Sequence, residues 1–343
     1  MPRLDQLNRL DKLDRFRGFG EISNGKGNES QISTLEKDFN TDVTPDPIID
    51  LKPYLQQPKY SLKDVVLSAE TNFQVQLVFA ELKHQKLIYE TWGMSQRHKH
   101  DIAVCLNFFG LPGLGKTMAA EAIAHELNRP ILVIPYAEIQ SKFMGDTGKY
   151  ITASFQFAKV HNAILFFDEA DTMLSTRVDV NQSSDSEMNL CRAVLITELS
   201  NFQGIIIFAT NKLGNYDGAF ISRIRWQIEF TLPDEEGRRK IWEAQISEQL
   251  PLHESVNFQE LASQFDNISG RDIKKAVLQA VVAAACEDKP DNEKCVTQSH
   301  FVDAIKQVTS ANEAAQKEKD KGKSQLVPVT ENVELPPDSS TEL

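Results

Sequence analysis

Five short apolar runs punctuate the middle of the chain, at residues 102–109, 131–134, 164–167, 205–209 and 227–230. Each has the length of a strand, and segments with helical patterning separate them. Apolar strands alternating with helices predict an α/β fold, a five-stranded parallel sheet flanked by helices on both faces. Ahead of the first run, residues 69–90 place Phe73, Leu77, Ala80 and Leu87 near helical spacing and read as a lead-in helix. Beyond Asp234 the strand signal stops. Segments 235–248, 258–265, 270–286 and 298–308 read as helices, and the alanine-rich stretch 280–285 is a strong helix former. A small all-α domain is therefore expected after the sheet.

The two ends are patterned differently. Residues 1–60 are polar and broken by Gly, Asn and Pro, with Leu4, Leu7, Leu10, Leu13 and Phe16 recurring every third residue. On a helix these form one broad, slowly drifting stripe, suited either to docking a partner or to local packing. Residues 18–30 read as a flexible linker. Residues 311–343 are rich in Lys, Glu, Ser and Pro, lack aromatics, and are expected to be disordered. The predicted organisation is an extension at 1–60, an α/β domain at 61–233, a helical domain at 234–310 and a tail at 311–343. No internal repeat is visible, so one module is expected.

Composition narrows the function classes. The formal net charge of −12 opposes free DNA duplex, which normally needs a basic face, so nucleic acid is not an expected partner. The four cysteines, Cys105, Cys191, Cys286 and Cys295, show neither a paired spacing nor a zinc-like spacing to histidine. They fit a reducing compartment, with Cys105 as a small buried hydrophobe. No apolar run approaches the ~20 residues of a membrane span. The first residues lack the apolar core of a secretory signal, so a cytoplasmic location is expected.

Chemistry enters directly after the first strand. Gly110-Leu111-Pro112-Gly113-Leu114-Gly115-Lys116-Thr117 joins the run ending at Phe109 to the helical Met118-Ala119-Ala120. This is G-x-x-x-x-G-K-[ST] in the strand–loop–helix context it requires. Glycines allow consecutive backbone N–H groups, from Gly110 through Gly113, Leu114 and Gly115 toward Met118, to surround phosphate oxygens. The following helix adds the positive end of its dipole. Lys116 supplies a mobile charge for the β- and γ-phosphates, and the Thr117 hydroxyl is placed for Mg2+. ATP with Mg2+ is the expected ligand.

The run 164–167 ends in Asp168-Glu169-Ala170-Asp171. A strand apolar on both faces has one natural place for charge, its carboxyl end, where ligands of open α/β sheets sit. Asp168 is expected to hold Mg2+ through water, and Glu169 to orient and deprotonate an attacking water. Lys116 and Asp168 are 168 − 116 = 52 residues apart, which leaves room for the extra strand at 131–134. The run 205–209 leads into Thr210-Asn211, whose amide is either a contact for the γ-phosphate or a turn former. Arg223 follows, an arginine finger for a neighbour's site or a surface residue.

In combination these segments resemble AAA ATPases, members of the wider AAA+ group. The likeness covers residues 61–309. Its segments are 110–117 (Walker A), 164–171 (Walker B), 206–211 (sensor 1) and Arg223 at the finger position, ten residues before Pro233. The resemblance implies a P-loop NTPase sheet followed by a lid. It also implies a homo-oligomeric ring, a hexamer, with ATP between subunits, and a central pore whose aromatic loop grips a protein client. Ser141-Lys142-Phe143-Met144-Gly145-Asp146 looks like that loop, with Phe143 as the gripping residue. Ser269-Gly270-Arg271 resembles the start of a sensor 2 helix, so Arg271 is either a γ-phosphate contact or a surface residue paired with Asp272 or Glu287. One departure stands out: Trp226 occupies the place of the common second finger arginine, and Arg225 lies one position earlier. The phrase Ile88-Tyr89-Glu90-Thr91-Trp92-Gly93 is similar to a bacterial single-module branch, some of it encoded with contractile injection systems. The reading favoured by these residues is an ATP-hydrolysing protein remodeller. A nucleotide-gated scaffold or assembly factor and a nucleic-acid loader are the alternatives.

Overall fold

The computed structural model describes residues 49–96, 103–136, 146–176, 183–211 and 216–324. Among them, six strands form one sheet: β1 (Leu55–Gln56), β2 (Val104–Phe109), β3 (Ile131–Pro135), β4 (Ile164–Asp168), β5 (Ile205–Thr210) and β6 (Trp226–Glu229). Their order is β1-β3-β4-β5-β2-β6. The ladders from β3 through β6 are parallel, so the five expected strands make up the parallel sheet. The sixth is a correction. Leu55–Gln56, within the segment assigned to the extension, pairs antiparallel with β3, Leu55 opposite Leu132. A two-residue strand is too short to carry a periodic signal, and only the neighbouring edge reveals it.

The sheet explains why the runs are continuous rather than alternating. Both faces are covered, so every residue of β2 and β5 is buried. Odd and even positions of one strand feed different cores. Leu165 and Phe167 of β4 pack with Phe208 under α3 (Thr147–Val160), α4 (Asp171–Leu174), α5 (Ser183–Asn201) and α6 (Gly218–Ile221). Ile164 and Phe166 face the opposite way, toward α1 (Ala69–Lys83) and α2 (Lys116–Glu126). Cys105 is buried as expected, and burial pushes its thiol up to about 12.

Helix α1 is shorter than its pattern suggested. Ser68 caps its start by accepting the Thr71 N–H, and α1 ends at Lys83, before a separate wide turn at Leu87–Thr91. Its docking face is Val75, Val78 and Leu82, while Phe73 and Leu77 remain 47% and 41% exposed. Both stripes have helical spacing, and only the sheet decides which is covered.

The helical domain consists of α7 (Glu235–Ala244), α8 (Phe258–Gln264), α9 (Gly270–Ala285) and α10 (Gln298–Ser324). It has its own core, in which Trp242 meets Phe301 edge-on at 5.7 Å. Helix α10 corrects the expected tail boundary, because it runs without a break through 311–324. Once a packed helix has nucleated, adding a turn of Ala, Glu and Lys costs little, so low hydrophobicity does not end it. The stripe at Leu4–Phe16 and the rest of the tail lie outside the described residues.

Candidate functional site

β2 stops at Phe109 and the chain turns at once, with positive φ at Gly110 (140°), Gly113 (86°) and Gly115 (92°). Helix α2 then starts at Lys116. Gly110 has no room for a side chain: a Cβ there would sit 2.1 Å from the Phe230 carbonyl oxygen. The loop is therefore pinned between the strand it leaves and the residue following β6. The Lys116 ammonium turns back over the loop and donates to the carbonyls of Gly110 (2.6 Å) and Leu111 (3.0 Å) and to Asn211 Oδ1 (3.3 Å). Burial pushes its pKa below the ordinary lysine value, Asp168 and Asp171 oppose that shift, and Arg271 adds to it. A buried cation that is incompletely neutralised suits an incoming anion.

The two sheet neighbours supply the polar groups. In space β5 lies between β2 and β4, so the Asn211 segment separates the phosphate loop from the carboxylates. Asn211 is held by Asp171, whose carboxylate accepts the Asn211 N–H at 2.9 Å and 3.2 Å. Asp171 was read as part of the acidic segment but not as the anchor of Asn211. Asp168 accepts the Glu169 N–H at 3.0 Å. Glu169 itself adopts φ of 55°, a left-handed conformation that costs about 1–2 kcal/mol for a residue with a Cβ. Strain of this kind clusters at functional sites, and Glu169 lines the cavity that the loop borders.

That cavity has a volume of about 410 Å³. Its wall includes Gly113, Leu114, Gly115, Lys116, Thr117 and Met118 of the loop and helix start, together with Glu169, Asn211 and Arg271. Residues predicted from four separate segments thus meet at one place. The helical domain closes it from above. The Arg271 N–H donates to the Gly113 carbonyl at 3.3 Å, and a Cβ on Gly113 would come within 2.7 Å of Arg271 Cβ. Asp272 and Glu287 are engaged elsewhere, by Ser269 and Asn312 and by Lys289 and His300, so neither is the partner of Arg271. Sequence reasoning missed the side wall at Asp64–Ser68, where Val65, Val66 and Leu67 line the cavity just before α1. The apolar triplet ahead of a capping serine was its available signal.

Arg223 lies away from this cavity. It is exposed, and its guanidinium donates to Ser200 Oγ (3.0 Å) and the Ala219 carbonyl (2.8 Å). Arg225 is committed within its own chain: it pairs with the Glu81 carboxylate and the Tyr89 hydroxyl, and Trp226 Nε1 donates to the same carboxylate at 2.7 Å. The guanidinium also lies 5.7 Å from the Tyr89 ring centre. This cluster ties β6 to α1. Arg225→Ala is expected to lower stability by about 1–3 kcal/mol in urea unfolding, because a mostly buried carboxylate loses its charged partner. Nucleotide affinity, measured on the same sample, is expected to stay within twofold. Phe143 and its loop fall outside the described residues.

Comparison with known proteins agrees with this geometry. Residues 106–232 match the family described as ATPase family associated with various cellular activities (AAA). The chain is similar to proteasome-activating nucleotidase 1 of Haloferax volcanii, 32% identical over 207 residues, 58% of this chain and 50% of that protein. It is also similar to a 26S proteasome regulatory subunit 4 homolog of Dictyostelium discoideum, 30% identical over 250 residues, 71% of this chain and 55% of the relative. The chain thus spans about half the length of the curated relatives it matches. These relatives give no support to the injection-system likeness of residues 88–93. No helix among the described residues is long and apolar enough to cross a membrane. The phosphate loop, the strand-end carboxylates and the family match together show that residues 106–232 form an AAA ATPase domain, similar to that of proteasome-activating nucleotidases and 26S proteasome regulatory subunits.

Proposed function

We propose that the chain binds ATP with Mg2+, hydrolyses it, and works as a homo-oligomeric ring, a hexamer, that remodels protein clients. The observation that carries this reading is the convergence of Lys116, Glu169, Asn211 and Arg271 on one cavity beneath a glycine loop. The loop N–H groups from Gly110 to Met118 and the Lys116 ammonium would bind the β- and γ-phosphates. Thr117 and Asp168 would hold Mg2+, which tolerates few protein ligands because it keeps its waters and takes phosphate oxygens. When bound, that ion neutralises charge on the transferring phosphoryl group.

In hydrolysis, a water oxygen bonds to the γ-phosphorus as the bond from that phosphorus to the bridging oxygen breaks. The products are ADP and inorganic phosphate. Glu169 takes the proton from the water, and Asn211 orients it. Arg271 meets developing charge from within the same subunit. Arg223 would meet it from the adjoining one, which suits its exposure and its distance from its own cavity. A protein client gripped by Phe143 is favoured by the likeness to proteins named for activating a proteasome. The acidic net charge disfavours a nucleic-acid role.

The test is subunit mixing. Arg223→Ala protein, titrated into wild-type protein at constant total concentration, should lower phosphate release more steeply than simple dilution. Pure Arg223→Ala should retain nucleotide binding and lose roughly 10³-fold or more in turnover. Linear dilution with a fully active Arg223→Ala protein would remove the finger. Wild-type turnover equal to that of Glu169→Gln would favour the scaffold reading.

A further inference from the structure

The start of α9 is built around one carboxylate. Asp272 Oδ2 accepts the Ser269 N–H at 2.9 Å and the Ser269 hydroxyl at 2.6 Å. Ser269 Oγ accepts the Asp272 N–H in return at 3.3 Å, which completes a capping box. The second oxygen of Asp272 is used differently. Asp272 Oδ1 accepts from Asn312 Nδ2 at 2.9 Å. Against a carboxylate the amide of Asn312 has to present its NH2 group, so the direction of this bond is fixed by chemistry. Asn312 belongs to the part of α10 that was expected to be tail.

The same helix start is pressed onto the phosphate loop. Gly113 donates no side chain, and a Cβ there would sit 2.7 Å from Arg271 Cβ and 3.0 Å from Ser269 Oγ. The Arg271 N–H reaches the Gly113 carbonyl at 3.3 Å. Ser269 is buried, with 7% of its surface exposed, so this contact has little slack. Asp272 is thus a single group held by α10 on one side and by the residues touching the phosphate loop on the other.

We propose that Asn312 is a positioning residue of the nucleotide site: by holding Asp272 it sets where the start of α9, with Arg271, lies against Gly113. The inference rests on the nucleotide-binding reading above and extends it to the C-terminal helix. It makes α10 beyond Val308 a lever, so that pulling or covering this helix alters nucleotide affinity.

The test uses the full chain and a fluorescent, non-hydrolysable ATP analogue, which carries the γ-phosphate that Arg271 would meet. Asn312→Asp puts a like charge beside Asp272 and should weaken binding about fivefold, the part of a lost charge-assisted hydrogen bond that an exposed pair passes on to the site. Asn312→Ala should weaken it about threefold. The exposed neighbouring change Glu313→Gln should leave it unaltered. The double variant Asp272→Asn/Asn312→Asp re-forms the bond with donor and acceptor exchanged and should return affinity to within about twofold of wild type. In an Arg271→Ala background, which keeps the backbone N–H and Cβ that meet Gly113 but lacks the guanidinium, the effect of Asn312→Ala should shrink. A general structural role would lower thermal stability without this rescue and without this dependence on Arg271. The proposal is overturned if Asn312 variants bind like wild type, if the exchange does not rescue, or if the weakening persists undiminished without Arg271. A wild-type chain that fails to bind the analogue overturns the nucleotide reading itself, which is a separate result.

Discussion

Replacing Lys116 with methionine should weaken ATP binding by at least about 100-fold. Among the described residues the Lys116 ammonium turns into the phosphate loop, where it bonds the Gly110 and Leu111 carbonyls. A charge-assisted contact is worth about 1.5–3 kcal/mol, and two phosphate contacts give roughly two decades or more in Kd. Methionine keeps the apolar stem, so packing around the loop survives. Stability without nucleotide should change little, since relief of a cation that burial holds below its ordinary pKa offsets the loss of its bonds to the Gly110 and Leu111 carbonyls.

The sign of the pH effect follows from the same shift. The folded protein releases the Lys116 proton more easily than the unfolded chain. The cost is therefore present in full below the folded pKa. It is relieved as pH rises from there toward the ordinary lysine value. Wild type should gain stability across that alkaline window relative to Lys116→Met. A titration with a fluorescent ATP analogue, with thermal unfolding beside it, checks both parts. Affinity within threefold of wild type would sink the assignment of Lys116.

Glu169→Gln should bind ATP with unchanged affinity and slow its hydrolysis about 10²–10⁴-fold, the usual contribution of a positioned general base. The amide keeps the size of the side chain and loses only the ability to take a proton. The backbone strain at φ of 55° is the same for either residue, so the fold should not respond. Single-turnover phosphate release separates this from a binding defect. The ATP-locked form should also retain its client in a pull-down. Turnover above about a third of wild type would move the base elsewhere.

Much of the site was legible because phosphate chemistry constrains local sequence. Gly110, Gly113 and Gly115 all have positive φ, Gly110 and Gly113 also lack room for a Cβ, and Lys116 follows at a fixed offset. The five apolar runs were visible because strands buried on both faces leave no polar alternation. Boundaries were less legible. The last strand runs Trp226–Glu229 rather than 227–230, since the apolar run there includes Phe230, which packs on Phe108 from beyond the ladder. The lead-in helix presents two plausible stripes, and the sequence alone favoured the exposed one.

Arg225 illustrates a different limit. Its offset from Arg223 suggested a question about a second finger, yet its partner Glu81 lies 144 residues earlier in the chain. No local pattern predicts such a pair. The same holds for Asp171 with Asn211 and for Asn312 with Asp272, each joining segments 40 residues apart.

The linear chain by itself determined the chemistry on offer: a glycine loop with its lysine, acids at a strand end, an amide after a strand, and the alternation that builds a parallel sheet. These are local because a phosphate is smaller than one turn of backbone. Tertiary structure alone decided which polar groups share a cavity, which face of α1 is covered, and which arginine stays exposed rather than pairing with a carboxylate of its own chain. Those outcomes depend on the packing of elements distant in sequence, whose contacts exist only after the sheet and the lid have closed on each other.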